Sequence, residues 1–147
     1  MPRWLIWTPV LVMGVLILAL ARPVRLHSDA WGGGGAGGVD ANAGGDRLVW
    51  LWAWQHGDVR FTNSVTGGPV DIGFGLATGF DRFHMATDEK TENYYTSGTY
   101  RINDRLRPQR TRTQRYCTVV GMTVTLGSRR YRLADDCLEM DLLWPPF

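Results

Sequence analysis

Histidines and acids are the side chains of this sequence that come nearest to a catalytic or metal-binding arrangement. Two histidines have acidic neighbours along the chain: His84 has Asp81, Asp88 and Glu89, and His56 has Asp58. Neither spacing matches a metal-ligand signature, and no third histidine supports either group. No serine lies in a nucleophile motif, and the glycine-rich stretch precedes a strand rather than the helix that a phosphate loop requires. We therefore expect no enzymatic activity, no metal and no cofactor.

Three tryptophans alternate along the segment RLVWLWAW, residues 47–54. Trp50, Trp52 and Trp54 therefore project from one face of a predicted strand, while Val49 and Leu51 occupy the other face. Both faces of this strand are apolar. The three rings either belong to the core or form a surface that contacts a sugar, a lipid or a protein partner.

A second candidate surface is cationic. The segment RLRPQRTRTQR has no acidic residue and five arginines, which are Arg105, Arg107, Arg110, Arg112 and Arg115. It is either a solvated loop with a charged edge strand or a contact for anionic lipid headgroups or an acidic protein. The whole chain has 16 basic and 14 acidic residues and a net charge of +2, which is too balanced for a protein that mainly binds nucleic acid.

The two cysteines are predicted to form a disulfide bond. Cys117 and Cys137 lie at odd positions in strands whose apolar residues lie at even positions, so both point away from the core. A hairpin between them would bring their strands together. The bond would indicate an oxidising compartment, and two unpaired buried thiols are the alternative.

The elements that position these residues begin with a predicted transmembrane anchor, residues 1–25. Trp4–Ala21 has no charged residue, and a helix of that length rises about 27 Å. Trp4 and Trp7 lie at one end, where indole rings favour the headgroup level, and Gly14 allows close packing on a neighbouring helix. An A-x-A pattern at the other end also fits a cleaved signal peptide. We expect an uncleaved anchor, because the apolar run is longer than a usual signal core.

The orientation of this anchor has two opposing indications. Arg22 and Arg25 outnumber Arg3, which favours a cytoplasmic C-terminal domain by the positive-inside rule. The predicted disulfide favours the opposite side, and we give it more weight. We therefore expect a single-pass protein of the bacterial inner membrane with its C-terminal domain in the periplasm.

A glycine-rich linker, residues 26–46, is predicted to connect the anchor to an extracytoplasmic β-domain, residues 47–147. Apolar residues recur with a period of two throughout this domain, and Gly67-Gly68 and Gly127-Ser128 indicate hairpin turns. Four further residues suggest a strand or strand pair around Gly98: Tyr94, Tyr95, Tyr100 and Ile102. The prediction is an all-β fold of seven to nine short strands without a helix, either a single β-sandwich or a small open barrel.

The segment RFTNSVTGGPVDIGF, Arg60–Phe74, resembles the opening strand pair of a small exported prokaryotic domain of unknown function, often encoded beside TAXI-type TRAP transporters. Asn63-Ser64-Val65 and Pro69-Val70 stand where that family has His-Ser-Val and Pro-Val or Pro-Trp. Asn63 departs from the family's histidine, and Asp71 alone stands where an acidic pair often follows. The resemblance implies an anchored extracytoplasmic domain without known enzymatic activity.

These observations favour a non-catalytic accessory subunit of an integral membrane protein complex, which also contacts membrane lipid and binds no nucleic acid. The complex is either a transporter or a respiratory or photosynthetic assembly. A second hypothesis is an extracytoplasmic module that binds a small molecule or glycan on its tryptophans. A third is an enzyme that uses His84.

Overall fold

The computed structural model describes residues 4–28 and 45–145, with side chains from Thr8 onward in the first range. Most of the predicted linker, residues 29–44, lies outside the described residues, as do the side chains of Trp4 and Trp7. Nine strands and three helices occur in the described part of the chain: α1 (Trp4–Leu20), β1 (Ala21–Ser28), β2 (Gly45–Trp52), β3 (His56–Thr62), β4 (Pro69–Gly75), β5 (Asp81–Thr87), α2 (Glu89–Thr96), α3 (Ile102–Leu106), β6 (Thr113–Thr118), β7 (Met122–Leu126), β8 (Arg129–Leu133) and β9 (Asp136–Leu142).

The strands form two antiparallel sheets. The first has the order β2-β1-β9-β6 and the second the order β5-β4-β3-β7-β8. Their inner faces share one hydrophobic core, with Val24 and Met140 from the first sheet and Val59 and Phe74 from the second. Alternate residues of most strands enter this core, as the period of two predicts. The mostly-β fold is thus confirmed, in the form of a sandwich.

The structure has two short helices where a strand pair was expected. Tyr94 and Tyr95 lie in α2, which begins after Asp88, whose carboxylate accepts the backbone N–H of Thr91 at 2.8 Å. The residue after α2, Ser97, caps the helix and adopts the left-handed conformation. This N-cap and the following turn outweigh the strand propensity of the tyrosines, so the predicted strand around Gly98 is wrong.

The boundaries of the β-domain also differ from those predicted. Ala21–Ser28, which the prediction divided between anchor and linker, forms strand β1 and pairs with both β2 and β9. Its core face is formed by alternate residues, Val24 and Leu26 among them. The charges at positions 22 and 25 concealed this alternation. The chain therefore passes from α1 directly into the centre of a sheet.

Helix α1 has 17 residues. Among the described residues, no helix combines the length and the apolar character that crossing a membrane requires.

Candidate functional site

Between Val10 and Leu18, helix α1 exposes apolar side chains on all its faces. Their exposed fraction runs from 48 % at Ile17 to 67 % at Leu11 for the large side chains, while Leu20 at the end of the helix is half-buried. A helix that is apolar all round is normally surrounded by protein or lipid rather than by water. The described part of the chain leaves this surface uncovered.

The last carbonyl groups of α1 are bonded to the sandwich. The carbonyl of Leu18 accepts the indole N–H of Trp144 at 2.6 Å, and the carbonyl of Leu20 accepts the backbone N–H of Ala53 at 2.8 Å. Carbonyl groups of the last helical turn have no partner within a helix, so these bonds satisfy them. They fix the direction in which α1 leaves the sandwich.

The side chain of Arg22 is the centre of this junction. Its side chain points into the protein and Arg22 is only 6 % exposed. Its guanidinium donates hydrogen bonds to four backbone carbonyls, those of Ala19 (2.8 Å), Ala21 (2.9 Å), Leu76 (3.0 Å) and Ala77 (2.7 Å). One side chain therefore connects the end of α1, strand β1 and the loop between β4 and β5.

The electrostatic setting of Arg22 is consistent with this bridging role. Burial lowers the pKa of Arg22, while attraction from Asp81 acts in the opposite direction. A guanidinium remains charged in proteins, and a positive charge at the C-terminal end of a helix is favourable. Sequence analysis treats Arg22 only as a flanking charge. Its even spacing with Val24 and Leu26 is the signal that places it on the inner face.

The tryptophan face is the outer surface of β2 and the turn after it, formed by Leu48, Trp50, Trp52 and Trp54. Trp50 is 62 % exposed and Trp54 61 %, so these rings lie outside the core. The rings of Trp52 and Trp54 stack in parallel, with centroids 5.4 Å apart. Since Ala21 pairs with Trp52 in the register of β1 and β2, the face begins beside the end of α1.

The arginine-rich segment does not form one continuous patch. Arg105 lies over the ring of Tyr100, with its guanidinium carbon 4.2 Å from the ring centroid. Arg107 and Arg115 are exposed, Arg115 on the edge strand β6. Arg105 and Arg107 therefore lie at α3, which packs against β5 of the second sheet, whereas Arg115 lies on the first sheet.

The other two arginines of the segment lie near the end of α1. Arg110 donates from Nε to the carbonyl of Thr78 at 3.3 Å, and Arg112 donates from Nη2 to the carbonyl of Leu142 at 2.9 Å. Both contacts hold loops at this end of the sandwich together. Their positive charges therefore lie on the same side of the molecule as Arg22.

The predicted disulfide is confirmed. Cys117 and Cys137 are directly opposite each other in β6 and β9 and are bonded. Cys117 is exposed and Cys137 half-buried, as expected for the face turned away from the core.

Two of the three acidic neighbours of His84 in the chain, Asp81 and Asp88, have other partners. His84 is exposed, and its ring lies over Gly73 of the adjacent strand. Asp88 caps α2, and Asp81 accepts hydrogen bonds from Thr78 and Arg82. Burial would raise the pKa of Asp81, but these hydrogen bonds hold it below its usual value. In the described ranges, no group of three or more histidine, cysteine or acidic residues could hold a metal ion.

Comparisons with known proteins identify no relative: no family model, no curated protein and no solved structure matches this chain.

Proposed function

We propose that this protein is a non-catalytic accessory subunit of a multi-subunit membrane complex, with α1 as its anchor and the sandwich outside the membrane. The observation that carries the proposal is the exposure of eight large apolar side chains between Val10 and Leu18. Full burial of one such side chain stabilises by about 1.5–3 kcal/mol, so covering this surface is worth on the order of 10 kcal/mol. An apolar environment outside this chain is the natural source of that stabilisation.

The length of α1 sets how it would sit in a bilayer. Its 17 residues rise about 25 Å, some 5 Å less than a typical hydrocarbon core of about 30 Å. A bilayer accommodates a mismatch of this size by local thinning, which costs fractions of a kcal/mol per Å. Packing against neighbouring helices of a complex also accommodates it. Gly14 allows such close packing, because an added Cβ at this position would touch nothing in the chain.

The proposed location of the sandwich is the periplasmic side of a bacterial inner membrane. The disulfide between β6 and β9 supports an oxidising compartment. The opposing argument from flanking arginines loses weight, because Arg22 is buried in the junction and Arg25 pairs with Asp141 at 2.7 Å. Neither is a free charge of the kind that the positive-inside rule counts.

The resemblance of Arg60–Phe74 to the domain encoded near TAXI-type TRAP transporters favours a transporter as the complex, with a respiratory or photosynthetic assembly as the alternative. The segment is the β3–β4 hairpin. Asn63 orders its turn, since its side-chain oxygen accepts the backbone N–H groups of Val65 and Thr66, both at 2.9 Å.

Membrane retention and co-migration test the proposal. We expect the full-length chain to stay in membranes washed with carbonate and to migrate with larger proteins after mild-detergent extraction. Val15→Arg places a charge near the middle of α1 at a cost of about 2.5–3.5 kcal/mol, so it lowers the retained fraction several-fold. Val15→Leu is the matched control and stays in the membrane. A wild-type chain that washes off, or that migrates alone after extraction, contradicts the proposal.

A ligand-binding module is the second candidate, and the exposed rings of Trp50 and Trp54 favour it. Because Trp52 and Trp54 stack on each other with centroids 5.4 Å apart, no sugar ring fits between them, and a ligand would lie on their outer surfaces. This candidate predicts that tryptophan emission responds to a glycan panel and that Trp50→Ala abolishes the response.

A further inference from the structure

One end of the sandwich, here called the proximal end, is defined by the junction with α1. It contains the turn from β2 to β3, whose Ala53 N–H bonds to Leu20, and the loop from β4 to β5, which Arg22 holds. The turn between β7 and β8 also lies at the proximal end, because the N–H of Gly127 donates to the carbonyl of His56 at 2.9 Å. These three connections, the segment after β9 and the end of α1 therefore share one side of the molecule, since Trp144 bonds to Leu18 as well.

The proximal end has the aromatic composition of a membrane interface. Trp52 and Trp54 lie in or beside the β2–β3 turn, and Trp144 contacts the last turn of α1. All three are exposed, at 38 %, 61 % and 40 %. Indole rings have an apolar body and a polar N–H, and they concentrate at the headgroup level of membranes. Here they surround the point where an apolar helix emerges.

Charge is also divided between the two ends. Besides the buried Arg22, the proximal end carries four arginines and the ion-paired Asp81: Arg82, Arg110, Arg112 and Arg129. The opposite, distal end carries six acidic and four basic residues: Asp46, Asp71, Asp88, Glu89, Asp135 and Asp136, with Arg47, Arg60, Lys90 and Arg132. Anionic lipid headgroups attract basic residues and repel acidic ones near a membrane surface. The distribution therefore matches a sandwich that stands with its proximal end on the membrane.

We propose that the proximal end docks on the lipid headgroup layer, so that the sandwich is held on the membrane at a fixed angle to α1 rather than carried on a tether. The proposal rests on the proposed function, because the tryptophans of the proximal end can reach the headgroups only if α1 is inserted in the membrane. The occupant is the bilayer itself rather than a partner protein. Trp144 bonds to the last turn of α1 and Trp52 pairs with Ala21, so both rings lie beside the point where an inserted helix would leave the bilayer.

A depth measurement in vesicles tests this. The full-length chain is labelled with 5-fluorotryptophan and reconstituted into vesicles of phosphatidylethanolamine and phosphatidylglycerol that contain a gadolinium-chelate headgroup lipid. Single Trp→Phe variants assign the resonances. We expect the resonances of Trp54 and Trp144 to broaden strongly. Val65→Trp provides the matched control, because Val65 is exposed in the β3–β4 turn at the distal end, and its resonance should stay sharp.

The outcomes separate docking from anchoring. If the chain floats with the vesicles while the resonances of Trp54 and Trp144 stay as sharp as that of the distal probe, docking is wrong and anchoring stands. A chain that does not float with the vesicles contradicts both. Shielding of Trp54 in the extracted native complex, without broadening in vesicles of the purified chain, would assign the tryptophans to a protein partner and overturn the lipid proposal.

Discussion

At the scale of single residues, Arg22 contributes most to the geometry of the candidate site. A charged side chain beside an apolar helix usually lies in water, yet this one lies inside the sandwich and binds four carbonyl groups. Its five N–H donors in a planar fork suit this task, whereas a lysine ammonium offers one point charge. Together with the bonds of Trp144 to Leu18 and of Ala53 to Leu20, this side chain therefore sets the direction of α1 relative to the sheets.

Replacement of Arg22 is predicted to destabilise the fold strongly. Arg22→Leu leaves buried carbonyl groups without donors, each at a cost of about 1–3 kcal/mol, and we expect the free energy of unfolding to fall by about 3 kcal/mol or more. Arg25→Leu on the same strand is the control. It removes only an exposed ion pair with Asp141, worth at most about 1 kcal/mol. Urea denaturation in detergent compares them, and equal losses would contradict the bridging role.

Asp141 is predicted to make stability depend on acidic pH. Burial would raise its pKa, but hydrogen bonds from Arg25 and Thr113 hold the pKa below its usual value. The folded state therefore binds protons less readily than the unfolded state, so the stabilisation is present above about pH 4 and is lost as the pH falls through the folded pKa. Unfolding measured between about pH 5 and pH 2 should be less pH-dependent in Asp141→Asn. Parallel curves would refute this assignment.

At the scale of elements, alternation predicted the strands well and failed where another local signal competed with it. Met122, Val124 and Leu126 alternate with threonines and form β7 as expected. The tyrosines of α2 resemble strand residues, but the cap at Asp88 decides their conformation. A sequence predicts such a helix only if the N-cap residue is considered before the strand propensity of the residues that follow it.

Strand β1 illustrates a different limit. In ARPVRLHS the inward positions are occupied by Arg22, Val24, Leu26 and Ser28, two polar and two apolar. The even spacing is present in the sequence, but the polar residues conceal it, because two acceptors of Arg22 lie 54 and 55 residues away and the acceptor of Ser28 lies 108 residues away. That the three tryptophans share one face was predicted because the signal is local, while the choice between core and surface stayed open. The inward position of Arg22 was not predicted, because two of its four acceptors, Leu76 and Ala77, are distant in sequence.

The disulfide is predicted to stabilise the first sheet at its edge. It joins β6 to β9 and closes a loop with a sequence separation of 20 residues, for which the chain-entropy model gives about 3 kcal/mol. Reduction of the wild-type protein should lower the free energy of unfolding by about that amount. The double variant Cys117→Ser, Cys137→Ser should start from the lower value and not respond to reductant. A wild-type protein that is equally insensitive would show that the bond contributes nothing.

At the scale of the whole molecule, these features give the two ends of the protein different chemical character. An apolar helix, exposed tryptophans and arginines occupy one end, and acidic residues occupy the other. The stability of the sandwich comes from its own core and disulfide, while α1 and the proximal end have surfaces that the described residues do not cover.

The behaviour of the full-length chain without detergent tests this claim most directly. Sedimentation velocity in aqueous buffer measures whether the purified chain exists as a free monomer. Because water would contact eight large apolar side chains of α1, we predict that monomer appears only when detergent or lipid is added. A stable, detergent-free monomer in which hydrogen exchange shows α1 intact would contradict the account.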